Sequence, residues 1–121
     1  LARGHCLCGA VGFETSGPPR FVANCHCANC RRATGAAFST WVGFTDDQIN
    51  WTGERAIYAS SEGVARGFCK DCGTPLSYQG AKWDGETHIL IGAFDQPEHF
   101  TPKGDVFTEE ALPFSKPPRK V

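Results

Sequence analysis

Cys25-His26-Cys27-Ala28-Asn29-Cys30 sets three thiols within six residues, and its reading decides what kind of fold surrounds it. Upstream lies Cys6-Leu7-Cys8, and downstream Cys69-Lys70-Asp71-Cys72 followed by Gly73, so all seven cysteines fall in three short groups. A Cys-x-x-Cys turn lets two sulfurs converge on one tetrahedral ion at about 2.3 Å, and the glycine after it lets the chain turn away beneath the metal. Disulfides suit this pattern less well. An odd count leaves one thiol over, and pairs so close in sequence serve chelation or redox chemistry better than stapling a core. The spacing predicts zinc and a reducing compartment such as the cytoplasm.

Structural zinc takes four protein ligands, whereas catalytic zinc takes three plus water or substrate. Two ions on seven cysteines divide as four and three, which leaves one coordination position open unless a histidine such as His26 fills it. Spacing alone admits a second grouping, a zinc ribbon of Cys27, Cys30, Cys69 and Cys72 with Cys6, Cys8 and Cys25 spare.

Around these groups the chain reads as one domain. Its 121 residues suit a single core, 40% are hydrophobic, and no apolar run approaches the roughly 20 residues of a membrane span. It opens at Leu1 and contains no methionine, so its native start is expected to lie upstream. Short apolar stretches bounded by Gly, Pro, Asn or Asp predict a mainly β fold of short antiparallel sheets with little helix. Strands are expected around Val11 and Phe13, over Arg20–Asn24, Phe38–Phe44, Gln48–Thr52, Arg55–Ser60, Val64–Phe68, Pro75–Tyr78 and Thr87–Phe94. Ala28–Thr34 is expected to make one or two helical turns, and Gln96–Phe100 a further short one at Pro97. The domain is placed at residues 1–114, with 115–121 a loose tail carrying two prolines and three basic residues. The formal charge of −1 and the scattered Lys and Arg residues argue against a nucleic-acid partner.

Three segments in this order, Gly4-His5-Cys6-Leu7-Cys8-Gly9-Ala10-Val11, Cys25-His26-Cys27-Ala28-Asn29-Cys30-Arg31-Arg32 and Phe68-Cys69-Lys70-Asp71-Cys72-Gly73, resemble the glutathione-dependent formaldehyde-activating enzyme family, which includes the centromere protein V branch. The resemblance runs from about Ala2 to Pro113. It implies a β-rich, tent-like domain with two zinc ions per chain. Cys6, Cys8, Cys69 and Cys72 would hold a structural zinc, and Cys25, Cys27 and Cys30 a catalytic one. It further implies a carbon–sulfur lyase acting on a small thiol–aldehyde adduct such as S-hydroxymethylglutathione. The division agrees with chain physics, since joining Cys8 to Cys69 closes a long loop, where a metal clip restricts the unfolded chain most. Cys25, Cys27 and Cys30 can bind one ion from a single loop and leave its outer face open.

Other residues carry weaker signals. Arg31 and Arg32 directly follow the open site and are candidates for a substrate carboxylate, as are Arg20 and Arg66. His26 reads as a fourth ligand, a proton carrier or a polar loop residue; His5 reads as a surface or supporting residue, and His88 and His99 lie in no motif. Trp41, Trp51 and Trp83 are candidates for pocket walls or sheet packing. A serine hydrolase finds no support around Ser39 and Thr40. Two rival readings remain, a non-catalytic zinc-stabilised binding module and a redox protein that cycles its Cys-x-x-Cys thiols.

Overall fold

The computed structural model describes residues 1–118. Among them are ten strands and one α-helix, so the chain is mainly β. Strands β1 (Ala2–His5), β2 (Gly12–Thr15) and β5 (Ile49–Thr52) form a small antiparallel sheet with β2 in the middle. The larger sheet holds β3 (Phe21–Cys25), β4 (Ser39–Thr45), β6 (Ala56–Ser61), β7 (Val64–Phe68), β8 (Pro75–Gly80), β9 (Glu86–Leu90) and β10 (Gly104–Val106). Its order is β10-β3-β4-β9-β8-β7-β6. Every pairing in it is antiparallel except β10 with β3, which run parallel. That pair departs from the all-antiparallel expectation.

The two-residue period of the strands sorts side chains into two clusters. Val22, Val42, Phe44 and Ile89 point to one side of the large sheet, where they join Phe13 and Phe94 in the main core. Phe21, Trp41 and Leu90 point to the other side and pack with Cys25 and Cys30. The main core also takes in Cys6 and Cys69, so the four-cysteine region is anchored to it.

Most expected elements are present, and α1 (Ala28–Thr34) occupies the span the sequence assigns it. The differences have physical causes. β1 lies outside the expected strands because its side chains are largely polar; it forms because β2 offers a free edge, and it is tied further by a bridge from Gly4 to Phe94 and by Asp95 N–H donating to the Arg3 carbonyl. β10 has only three residues and forms against the outer edge of β3. The strand expected over Thr87–Phe94 stops at Leu90, where Ile91–Ala93 tightens into a 3-10 turn that brings Phe94 into the core. Ser115, expected to begin a loose tail, is instead buried at the end of a 3-10 turn over Pro113–Ser115 and donates to the Leu112 carbonyl. Of the rest of that tail, residues 119–121 lie outside the described residues. No described helix is long and apolar enough to cross a membrane.

Candidate functional site

The fold gathers the seven cysteines into two clusters, divided four and three. The sulfurs of Cys6, Cys8, Cys69 and Cys72 all lie within 4.8 Å of one another, as do those of Cys25, Cys27 and Cys30. The zinc-ribbon grouping is not formed. No disulfide joins any of the seven.

Two tight turns build the four-cysteine cluster. In one, Cys6 N–H donates to the Val11 carbonyl and Val11 N–H points at Cys6 Sγ. In the other, Gly73 N–H donates to the Cys69 carbonyl, with Gly73 at φ 79°, a conformation its missing Cβ makes accessible. Thr74 ties the turns together, since its Oγ1 accepts from Leu7 N–H and lies 3.1 Å from Cys72 Sγ. The donor set suits zinc. A tetrahedron with bonds of about 2.3 Å has edges of roughly 3.8 Å, and the Cys6–Cys8 and Cys8–Cys69 sulfur separations are 3.7 and 3.8 Å.

The three-cysteine cluster sits where β3 runs into α1. Cys25 ends the strand, and Cys27 caps the helix, its sulfur accepting from Cys30 N–H at 3.3 Å. Cys30 therefore lies one turn into α1, facing its two partners. Of the three, Cys30 has the surroundings that most favour a thiolate. Hydrogen bonding with Cys25, and then with Cys27 and Arg66, pulls its pKa down to about 5 against the opposing effect of burial, while the same Cys25–Cys30 contact pushes Cys25 up.

Behind the loop, His26 is fully buried. Its Nε2 lies 2.8 Å from Asp105 Oδ1 on β10, and Asn24 Nδ2 donates to the same carboxylate oxygen. His26 is outside both sulfur clusters. The chain from Gly104 to Glu110 forms a strap over the loop: Glu110 Oε1 accepts from Ala28 N–H, and Arg31 Nη1 donates to the carbonyls of His26 and Glu110. At the bend of the strap Phe107 adopts φ 55°, unusual for a residue with a side chain, and is half exposed.

A cavity of about 600 Å³ opens directly on Cys25, Cys27 and Cys30. One register row of the large sheet provides much of its wall. Phe21 pairs with Gly43, Gly43 with His88, His88 with Tyr78, and Tyr78 with Arg66. Gly43 leaves room for the Phe21 ring, which overlies it and meets His88 edge-on at 4.6 Å. His88 stacks on Tyr78 at 5.6 Å, and the Arg66 guanidinium lies 5.2 Å from the Tyr78 ring centre. Both terminal nitrogens of Arg66 reach 3.8 Å from Cys30 Sγ.

The arginines thus fall differently from their order in the chain. Arg66 lines the cavity, whereas Arg31 is turned to backbone carbonyls, Arg32 is exposed outside the lining, and Arg20 pairs with Glu86. Trp41 and Trp83 line the cavity, and Trp51 packs instead on Phe13 beneath Arg55. Tyr78, Glu110 and Asp105 carry no sequence signal for a site, because only strand register and the parallel β10 pairing bring them to the cysteines.

Residues 1–110 match the model of a protein family described as glutathione-dependent formaldehyde-activating enzyme. A Schizosaccharomyces pombe protein named an uncharacterized lyase is 30% identical over 91 residues, and the match spans 75% of this chain but only 65% of that relative. A crystal structure of a Rhodobacter sphaeroides protein superposes with a TM-score of 0.69 at 19% identity, covering 85% of this chain and 98% of that one; the two share the fold.

Proposed function

Given that the chain belongs to the glutathione-dependent formaldehyde-activating enzyme family, we propose that it is a zinc-dependent carbon–sulfur lyase that reversibly joins a small thiol and an aldehyde, S-hydroxymethylglutathione being the family's type of adduct. The observation that carries this reading is the asymmetry between the two sulfur clusters. Four thiols make one complete ligand set, while Cys25, Cys27 and Cys30 make an incomplete one that faces a cavity of about 600 Å³. Residues 1–114 act as one zinc domain in this reading, with Cys6, Cys8, Cys69 and Cys72 holding its structural ion. A reducing cytoplasm keeps all seven thiols available.

Zinc on Cys25, Cys27 and Cys30 would supply Lewis acidity, favouring the thiolate form of a bound thiol or polarising an aldehyde oxygen. The chain's own residues do the rest. Arg66 offsets the negative charge that three thiolates concentrate at Cys30. Arg31 and Glu110 hold the strap on the metal loop, and the rings of Phe21, Trp41 and Tyr78 keep bulk water from one side of the reacting carbon. Cleavage breaks the C–S bond with its electron pair passing to sulfur, while the adduct hydroxyl loses its proton to solvent at the cavity mouth and becomes the carbonyl. Synthesis is the reverse, and neither direction changes oxidation state.

The test is the exchange of formaldehyde between free thiol and adduct, followed by NMR magnetisation transfer with zinc-loaded protein. Acceleration over the uncatalysed rate that vanishes in Cys27→Ala supports the lyase reading. A Cys27→Ala protein that exchanges as fast as the wild type sinks it and leaves the three-cysteine cluster a binding or architectural element.

A further inference from the structure

Phe107 breaks a rule that the rest of the described chain keeps. Every other described residue with positive φ is a glycine, which reaches that region without a Cβ clash, whereas Phe107 takes φ 55° and ψ 42° with a full aromatic side chain. Core packing does not account for the choice, because the residue is 51% exposed and belongs to neither buried cluster.

The bend does hold the ring in one place. Phe107 lines the same cavity as Cys25, Cys27 and Cys30, and the chain on each side of it is pinned to the loop that carries them. Just before it, the Val106 carbonyl accepts from His26 N–H at 3.1 Å, and Val106 pairs with Cys25 in the parallel β10–β3 ladder. Just after it, Glu110 N–H donates to the Phe107 carbonyl and Glu110 Oε1 accepts from Ala28 N–H, both at 3.0 Å. His26 and Ala28 are the two neighbours of Cys27, so the bend is suspended between anchors on either side of that cysteine. Backbone strain that persists beside a reactive centre is imposed by the surrounding bonds, and it points to a use for the strained side chain. We propose that Phe107 is a positioning residue for the three-cysteine centre: its ring forms a fixed cover beside Cys27 that holds the thiol adduct in the cavity and slows the exit of an ion from the centre. For the adduct this rests on the lyase reading; for the ion it does not.

The experiment compares zinc-loaded full-length wild type with Phe107→Gly, Phe107→Asn and Phe107→Leu. Zinc transfer to a chromogenic chelator is followed in time, formaldehyde exchange is measured against S-hydroxymethylglutathione concentration, and urea melts report stability. Glycine and asparagine suit the bend and remove the ring, so both should speed zinc loss from the three-cysteine centre about tenfold and raise KM roughly fivefold with kcat within about twofold. The urea midpoint should be no lower in either, and zinc loss from the four-cysteine centre should not change. Phe107→Leu keeps apolar bulk and should stay within about threefold of the wild type in release and KM. Equal acceleration at both centres with a lowered urea midpoint overturns the proposal and makes Phe107 a structural residue only. If the wild type exchanges formaldehyde and the glycine and asparagine variants match it in KM and zinc release, the lyase reading stands and the cover falls. If the wild type shows no exchange yet both variants lose zinc faster from the three-cysteine centre alone, the lyase reading falls and the cover over the ion stands.

Discussion

His26 Nε2 lies 2.8 Å from Asp105 Oδ1, joining the residue between two cysteines of the open cluster to a strand that arrives some eighty positions later. The contact fixes the backbone from which Cys25 and Cys27 project, as an outer partner orients the ligands of a metal centre. Asp105→Ala should therefore weaken zinc retention at the three-cysteine centre about tenfold or more and leave the four-cysteine centre unchanged. Competition with a graded chelator, read as two separate release steps, checks this. Equal weakening of both steps would point to general unfolding.

The two clusters should also fail differently when a ligand is removed. Cys27→Ala is expected to lower zinc from two ions per chain to one with the circular dichroism spectrum preserved, because β3 and α1 keep their other contacts. Cys72→Ala removes a clip that joins β1 to the turn after β7, and structural zinc contributes directly to folding. That variant should be largely unfolded at 25 °C, and a stable, cooperative Cys72→Ala protein would contradict the structural assignment.

Gly43 has a packing role that urea melts can isolate. A methyl group there would overlap the Phe21 ring, so Gly43→Ala should cost about 1–3 kcal/mol and push Phe21 out of the cavity wall. Gly92 has open space around its would-be Cβ, and Gly92→Ala should change stability by less than about 0.5 kcal/mol. Equal effects at the two positions would rule out the close approach as the cause.

Stability should fall on mild acidification through His88. Burial lowers its folded-state pKa, with Glu86 opposing, so the unfolded chain takes up the proton first. The contribution is complete above the unfolded value of about 6.5 and is lost as pH falls through the folded value. His88→Phe should flatten the dependence of the urea midpoint between pH 7 and 5. An unaltered slope would assign the acid sensitivity to other groups.

The sequence exposes features that are local and hides those that depend on register. The span of α1 is legible because the Cys27 cap and the residues after it act on neighbouring backbone. The strands from Phe38 onward are legible because Trp41, Val42 and Phe44 are strong β-formers with a buried side. β1 and β10 are hidden, since Arg3, His5 and Asp105 show no apolar alternation and take strand form from the edges beside them. The division into four and three is legible from the ligand count, and which cysteines fall in each set is legible through family resemblance, whereas spacing alone leaves the zinc ribbon open. Proximity in sequence favours Arg31 and Arg32 for the site; strand pairing brings Arg66 there from thirty-six positions past Cys30.

The spans of the two clusters also set a timetable for metal loading. A chain emerging from the ribosome at roughly 5–20 residues per second presents Cys25, Cys27 and Cys30 complete some seconds before Cys69 and Cys72 appear. During that interval Cys6 and Cys8 wait for their partners, and the finished chelate is the one facing the future cavity. The strap that covers it, with Asp105 and Glu110, is made later still. The three-cysteine cluster is thus the first ligand set to be complete and the last to be enclosed, which would leave any metal loading there exposed to whatever competing thiol-loving ions the cell carries.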